Sequence, residues 1–308
     1  MATMTPAPIP MSAWRVWFLA VRPWSLTISV VPILMASALA WQDGKMSIPF
    51  GLLMLLTSVL THVGCNLTND YFDNESGVDI VQNEGQGRML QDGHLTDRDI
   101  RRGMIVSFVL ALMFGAPIIV RLGWIGVAFA LIGAGVAFFY TGGPWPLAYN
   151  RLGEFGVFVA MGIVMVGGAY YVHTGTLTWP VALLATNTGL YAAGILHSNN
   201  MRDLDVDLDH HKHTLANTFG WTWGVREYAA LVFAPLAITV SVVIATPGYW
   251  PLLATLAILP ASFGAVRHMR DVGEGHLTSA IVGMTTRLHL RYGVIVTLAM
   301  IVKGLIDL

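Results

Sequence analysis

Nine separate apolar stretches constrain this chain more than any other feature of its sequence. They cover residues 25–41, 49–65, 104–120, 124–140, 155–172, 180–196, 228–245, 250–266 and 292–306. Each runs about 15 to 20 residues, the length a helix needs to cross a bilayer core of roughly 30 Å. At ~20 residues per span, nine spans use ~180 residues and leave ~130 for loops and tails. No soluble second domain fits, so residues 1–308 form a single polytopic membrane domain. Composition agrees: 55% of residues are hydrophobic and 11% charged, against roughly 25% charged in soluble proteins. The first stretch follows Arg22 and Pro23 without a small-residue cleavage site, which marks a retained helix rather than a removed signal. Cys65 is the single cysteine, so no intrachain disulfide or cysteine-built metal site forms. A net charge of −1 predicts no nucleic-acid partner.

Charge sets the expected orientation. With a cytoplasmic N-terminus, fourteen Lys and Arg fall on the inner face, leaving Lys45, Arg121 and Lys303 opposite, the asymmetry that marks a cytoplasmic side. With nine spans the C-terminus is then outside. Sixteen of eighteen acids share the inner face. The positive-inside rule does not concern acids, so they need another cause. Two inner connections are long, 66–103 and 198–227, two are intermediate, 141–154 and 267–291, and outer ones such as 42–45 are short. Thr96 followed by Asp99 reads as a helix N-cap, with 97–102 a helical lead-in to the third span. Chemistry is expected on the inner face.

The two long connections repeat one another. Span two ends in Asn66, Asn69, Asp70 and Asp73, and span six ends in Asn199, Asn200, Asp203 and Asp207. At 100° per residue each set falls on one stripe about 100° wide, while Asp205 and Asp209 point away. Asp70 and Asp203 are four spans apart, and an even number returns both to one membrane face. Several carboxylates at such helix ends repel one another unless a cation neutralises them. Oxygen donors suit a hard divalent ion, and magnesium completes its shell with phosphate oxygens. Two facing half-sites would hold a diphosphate through two Mg2+, with Asn69, Asp70, Asp73, Asp203 and Asp207 as metal ligands. Asn66, Asn200 and Arg202 stand beside the diphosphate. Arg88 and Lys212 follow the clusters as cations for charge on a leaving diphosphate.

Other readings of these residues stay open. The acids could merely solubilise the face. They could also serve a cation or lipid-diphosphate transporter, although the nine stretches contain no acid of the kind an ion pathway needs. Arg88 and Lys212 could be ordinary positive-inside residues, the role that suits Arg98, Arg101 and Arg102. His210, His211 and His213 point in different directions and suit a solvated loop better than a zinc site. His197, at the end of span six, suits either packing or acceptor binding.

The Asn-Asp-x-x-Asp and Asp-x-x-x-Asp clusters on nine helices resemble the UbiA superfamily of intramembrane aromatic prenyltransferases, through nearly the whole chain. Residues 69–79, from Asn69-Asp70 through Asp73 to Asp79, look like the branch acting on 1,4-dihydroxy-2-naphthoate in menaquinone synthesis. Residues 140–154, Tyr140-Thr-Gly142-Gly143-Pro144-Trp-Pro146 onward to Glu154, are similar to that branch's loop between spans four and five. Arg22-Pro23, Val166 to Tyr171, and Asn199 to Asp203 are further similar segments. One segment departs: His210-His211-Lys212-His213-Thr214-Leu215 stands where the branch has Gly-Lys-Arg-Thr-Leu.

The resemblance implies an all-α integral membrane fold of nine transmembrane helices around a central cavity open sideways to lipid. It implies transfer of a polyprenyl group from polyprenyl diphosphate to 1,4-dihydroxy-2-naphthoate with loss of CO2. The alternative within the same chemistry is another aromatic or lipid acceptor. The aspartates would hold two magnesium ions acting as Lewis acids on the allylic C–O bond, with Asp73 and Asp203 essential and Asp79 a further metal or diphosphate contact. An allylic cation would be shielded from water and flanked by aromatic faces, Tyr140 first and Tyr149 second. Arg22 and Arg151 are candidate partners of the acceptor carboxylate. The expected location is the cell membrane, with the N-terminus and Asp-rich loops cytoplasmic.

Overall fold

The structure, a computed structural model, describes residues 11–76, 89–90, 92–209 and 211–307, without the side chains of Asp73 and Ser76. Arg88, Asp79, His210 and the Asp73 carboxylate therefore lie outside the described residues. The fold is all-helical. A short helix α1 (Ala13–Val21) is followed by α2 (Thr27–Gln42), α3 (Ile48–Ser76), α4 (Asp97–Leu122), α5 (Trp124–Phe139), α6 (Gly153–Thr174) and α7 (Trp179–Arg202). Then come the short α8 (Leu204–Asp209) and α9 (Leu215–Phe219), and the long α10 (Trp221–Ala245), α11 (Pro247–Val272) and α12 (Ser279–Ile306).

Each predicted stretch lies on one of these helices, but their lengths differ. Seven helices are long and apolar enough to cross a membrane, making this a multi-pass membrane protein. The two that carry the first and fourth stretches, α2 and α5, have 16 residues each, about 24 Å at 1.5 Å per residue. Among the described residues there are thus seven long candidate spans and two shorter apolar helices. The intermediate loop 267–291 is corrected too: α11 continues to Val272 and α12 begins at Ser279, leaving 273–278 as connection. Charged residues there stand on helix ends that outlast the apolar run. The Thr96 expectation holds, with a capping box in which Asp99 N–H donates to Thr96 Oγ1 and Thr96 N–H donates to Asp99 Oδ2 at 3.0 Å.

The chain winds so that α2 through α7 wall a cavity, while outside it α10 packs on α7, α12 packs on α7 and α2, and α11 packs on α10 and α12. Six of the apolar helices, rather than nine, therefore surround it. Helices α6 and α7 cross with backbone close to backbone. A Cβ on Gly162 would stand 2.5 Å from the Ala185 carbonyl oxygen, and one on Gly189 would stand 2.6 Å from that of Phe158. Here α6 is wound as a π-helix over Val159–Gly168, a rare form often found at functional sites. Its residues Met161, Val164 and Met165 face the cavity. Large apolar side chains such as Val120, Trp124 and Ile244 are exposed, as a lipid-facing surface requires.

Candidate active site

The cavity has a volume of about 690 Å3 and a largely apolar wall, with its polar lining residues on α3 and at Tyr140 and Asn199. Asn66 and Asn69 reach it from the last turns of α3, Asn199 from the end of α7, and Tyr140 from the end of α5. An asparagine from each of the two predicted helix ends thus lines the same cavity. α3 stays helical through the whole first cluster because apolar and cluster residues share one 3.6-residue period. Asn66 is held by donating Nδ2–H to Val21 O (3.1 Å) and Ser25 Oγ (3.0 Å). Asn69 Oδ1 accepts from Thr141 Oγ1 at 2.8 Å, which ties the glycine-rich turn to the cluster. Gly143 in that turn has φ +81°, a conformation a side chain would strain.

The second cluster is built differently from the continuous stripe expected. α7 ends at Arg202, and Asp203 takes the C-cap with its N–H donating to Asn199 O. Aspartate is a poor interior helix residue, and α8 restarts beyond it. Asp207 is nevertheless fully buried, and Asp205 and Asp209 are exposed as expected.

Every described aspartate of the clusters lies beside a cation. Asp70 is buried and ion-paired with Arg22. Asp203 accepts from Arg202 Nε at 2.6 Å, and Asp207 Oδ1 lies 3.1 Å from Lys212 Nζ. Arg202 also donates to Ser279 Oγ at 3.3 Å. Among the described residues no group of three or more His, Cys, Asp or Glu forms a ready metal cage. The donor set of buried carboxylates and amide oxygens still fits a hard divalent cation that keeps outside oxygen ligands. Arginine and lysine beside it match a polyanionic ligand.

Asn200 donates Nδ2–H to Glu154 Oε1 at 2.8 Å, which turns its carbonyl oxygen away from Glu154. His197 lies behind it, fully buried, donating Nε2–H to Gly224 O at 2.9 Å, with Nδ1 3.6 Å from Glu154 and 3.3 Å from Glu227. His197 does not line the cavity. Arg151 has φ 63° and donates Nε–H to Thr218 on the exposed surface. Tyr149 borders a separate hollow of about 220 Å3 with Phe72, Glu75 and Thr141. Its loop is zipped to the second acidic loop: Arg151 N–H donates to His213 O (2.8 Å) and His213 N–H to Tyr149 O (3.2 Å). That pairing fixes the His213 backbone against the loop of Tyr149 and Arg151.

The UbiA prenyltransferase family profile matches residues 29–280. The chain belongs to that family. The 1,4-dihydroxy-2-naphthoate octaprenyltransferase of Escherichia coli is 32% identical, over 73% of this chain and 75% of the relative. The UbiA prenyltransferase domain-containing protein 1 homolog of Drosophila melanogaster is also 32% identical, over 92% and 79%. A UbiA homolog from Archaeoglobus fulgidus, solved with GPP and Mg2+, shares the fold with a TM-score of 0.65 at 15% identity, covering 92% of this chain and 99% of that one. The matched span includes both acidic helix ends. Within it lies one cavity residue that the sequence reading passed over. His62 lines the cavity one turn inside Asn66, with Nδ1 2.6 Å from Ser29 Oγ. Polar residues at Thr57, Ser58, Thr61 and His62 inside an apolar stretch were the signal that could have found it.

Proposed function

We propose that this chain transfers a polyprenyl group from a polyprenyl diphosphate to 1,4-dihydroxy-2-naphthoate, losing diphosphate and CO2 and giving demethylmenaquinol. The observation that carries the reading is a largely apolar cavity lined by Asn66, Asn69 and Asn199, which stand on the two helix ends that carry the acidic residues, with Asp70 next in sequence and ion-paired with Arg22. That shape takes a long apolar tail with a polyanionic head. The acceptor is supported by the name of the E. coli relative and by the likeness of residues 140–154 to that branch.

Asn69, Asp70, Asp73, Asp203 and Asp207 would hold two Mg2+, and Asp79 a further contact; magnesium, when bound, supplies Lewis acidity and neutralises the diphosphate. Arg88, Arg202 and Lys212 neutralise leaving-group oxygens, and Asn66 and Asn200 orient the head group. Tyr140 offers its ring face at the neck, and the apolar wall keeps water from the allylic carbon. The acidic mouth faces the cytoplasm in this reading, and the membrane is the cell membrane. Purified protein incubated with Mg2+, labelled polyprenyl diphosphate and 1,4-dihydroxy-2-naphthoate tests it. Prenylated naphthol with diphosphate release is the expected result. Release only with another phenol would replace the acceptor, and substrate movement across vesicles without turnover would replace the enzyme by a transporter.

A further inference from the structure

The cavity wall is chemically one-sided. Among the described lining residues, every polar side chain except Tyr140 and Asn199 at the mouth stands on α3. Thr57, Ser58, Thr61, His62, Asn66 and Asn69 make a strip about 18 Å long at 1.5 Å per residue. The facing surfaces of α4, α5 and α6 are apolar. An isoprenoid chain is apolar on every side, and burying hydroxyls and an imidazole against it costs free energy without return. The strip therefore suits a second ligand that is flat and carries polar groups on its edge.

His62 is the one imidazole among the described lining residues. Its Nδ1 pairs with Ser29 Oγ at 2.6 Å, which fixes the ring plane. Its Nε2 has no hydrogen-bond partner among the described residues, and the ring lines the cavity. The Ser29 hydroxyl donates or accepts equally well, so Nε2 can meet a phenolic hydroxyl in either sense. We propose that His62 anchors the aromatic acceptor by a hydrogen bond from a ring hydroxyl to its imidazole, seating the ring against α3 while the prenyl chain lies along α4 to α6. This rests on the prenyl transfer proposed above. Arg151 and His197 do not line the cavity.

The test is equilibrium binding to the full-length protein in lipid nanodiscs, without turnover. The ligands are 1,4-dihydroxy-2-naphthoate, its 1,4-dimethoxy ether and, separately, a non-hydrolysable polyprenyl diphosphate analogue. His62→Ala should weaken naphthoate binding about tenfold, the loss of one hydrogen bond, and leave the diphosphate analogue within about twofold, which also certifies the fold. Wild type should discriminate against the ether and His62→Ala should not. Ser29→Ala, which frees the ring, should weaken naphthoate binding in the same direction by a smaller factor. A His62→Ala protein that still discriminates against the ether overturns the anchor alone. Wild type that binds the diphosphate analogue but not the naphthoate overturns the acceptor class and this anchor with it.

Discussion

Replacing Arg22 by alanine tests whether its ion pair with Asp70 occupies a cation site. The Asp70 side chain is 3% exposed and that of Arg22 26%. Removing one partner of a fully buried pair costs about 3 to 5 kcal/mol, and the partial exposure of Arg22 places this case near the lower end. At about 2 °C per kcal/mol for a chain of this size, Arg22→Ala should melt about 6 °C below wild type in EDTA. Magnesium should then act unequally. In wild type a cation must displace the guanidinium from Asp70, whereas in the variant it meets an uncompensated carboxylate, so its binding contributes more stability there. The assay is thermal unfolding of detergent-purified protein in EDTA and in millimolar MgCl2, with the gap expected to shrink by at least half in magnesium. A gap that persists unchanged would separate Asp70 from the metal site, and no gap in EDTA would show that the pair contributes nothing.

Asp203→Ala and Asp73→Ala should each abolish turnover while the protein remains folded, because each removes a proposed metal ligand and one repelling charge; near-normal activity at saturating magnesium would exclude that residue. Lys212→Ala and Arg88→Ala should weaken polyprenyl diphosphate use more than naphthoate use, by 10² to 10³ in rate on the order of an oxyanion contact, with the larger loss at Arg88. A Lys212→Ala enzyme whose KM rises for naphthoate alone would show that this loop does not serve the diphosphate. Gly162→Ala forces a Cβ to within 2.5 Å of Ala185 O and should destabilise by about 1 to 3 kcal/mol; unchanged melting would refute the close crossing of α6 and α7.

Much of this protein was legible without coordinates because its signals are local. Hydropathy runs marked the positions of the apolar helices, since the cost of unpaired backbone in lipid falls on each segment separately. The Thr96 cap needed three residues of context. The stripe of Asn66, Asn69 and Asp70 needed the period of one helix, and the even span count placed both clusters on one face. The second stripe failed as drawn because a cap at Asp203 interrupts the period, and helix ends are where local propensity and tertiary contacts compete.

What the sequence determined alone was the membrane setting, the paired acidic helix ends and the kind of ion and head group they suit, since these follow from residue type and spacing within single helices. Tertiary structure decided which charges meet. Arg22 and Asp70 are 48 residues apart and pair because α2 enters beside the end of α3. His197, on the same helix as Asn200, is turned into a buried nest with Glu154 and Glu227 that no spacing reveals. Arg151 is drawn to the surface by the pairing of its backbone with His213, and His62 becomes a cavity residue because α3 faces three apolar helices across an open space. Contacts between distant segments depend on how helices pack around that space, and packing is a property of the whole chain.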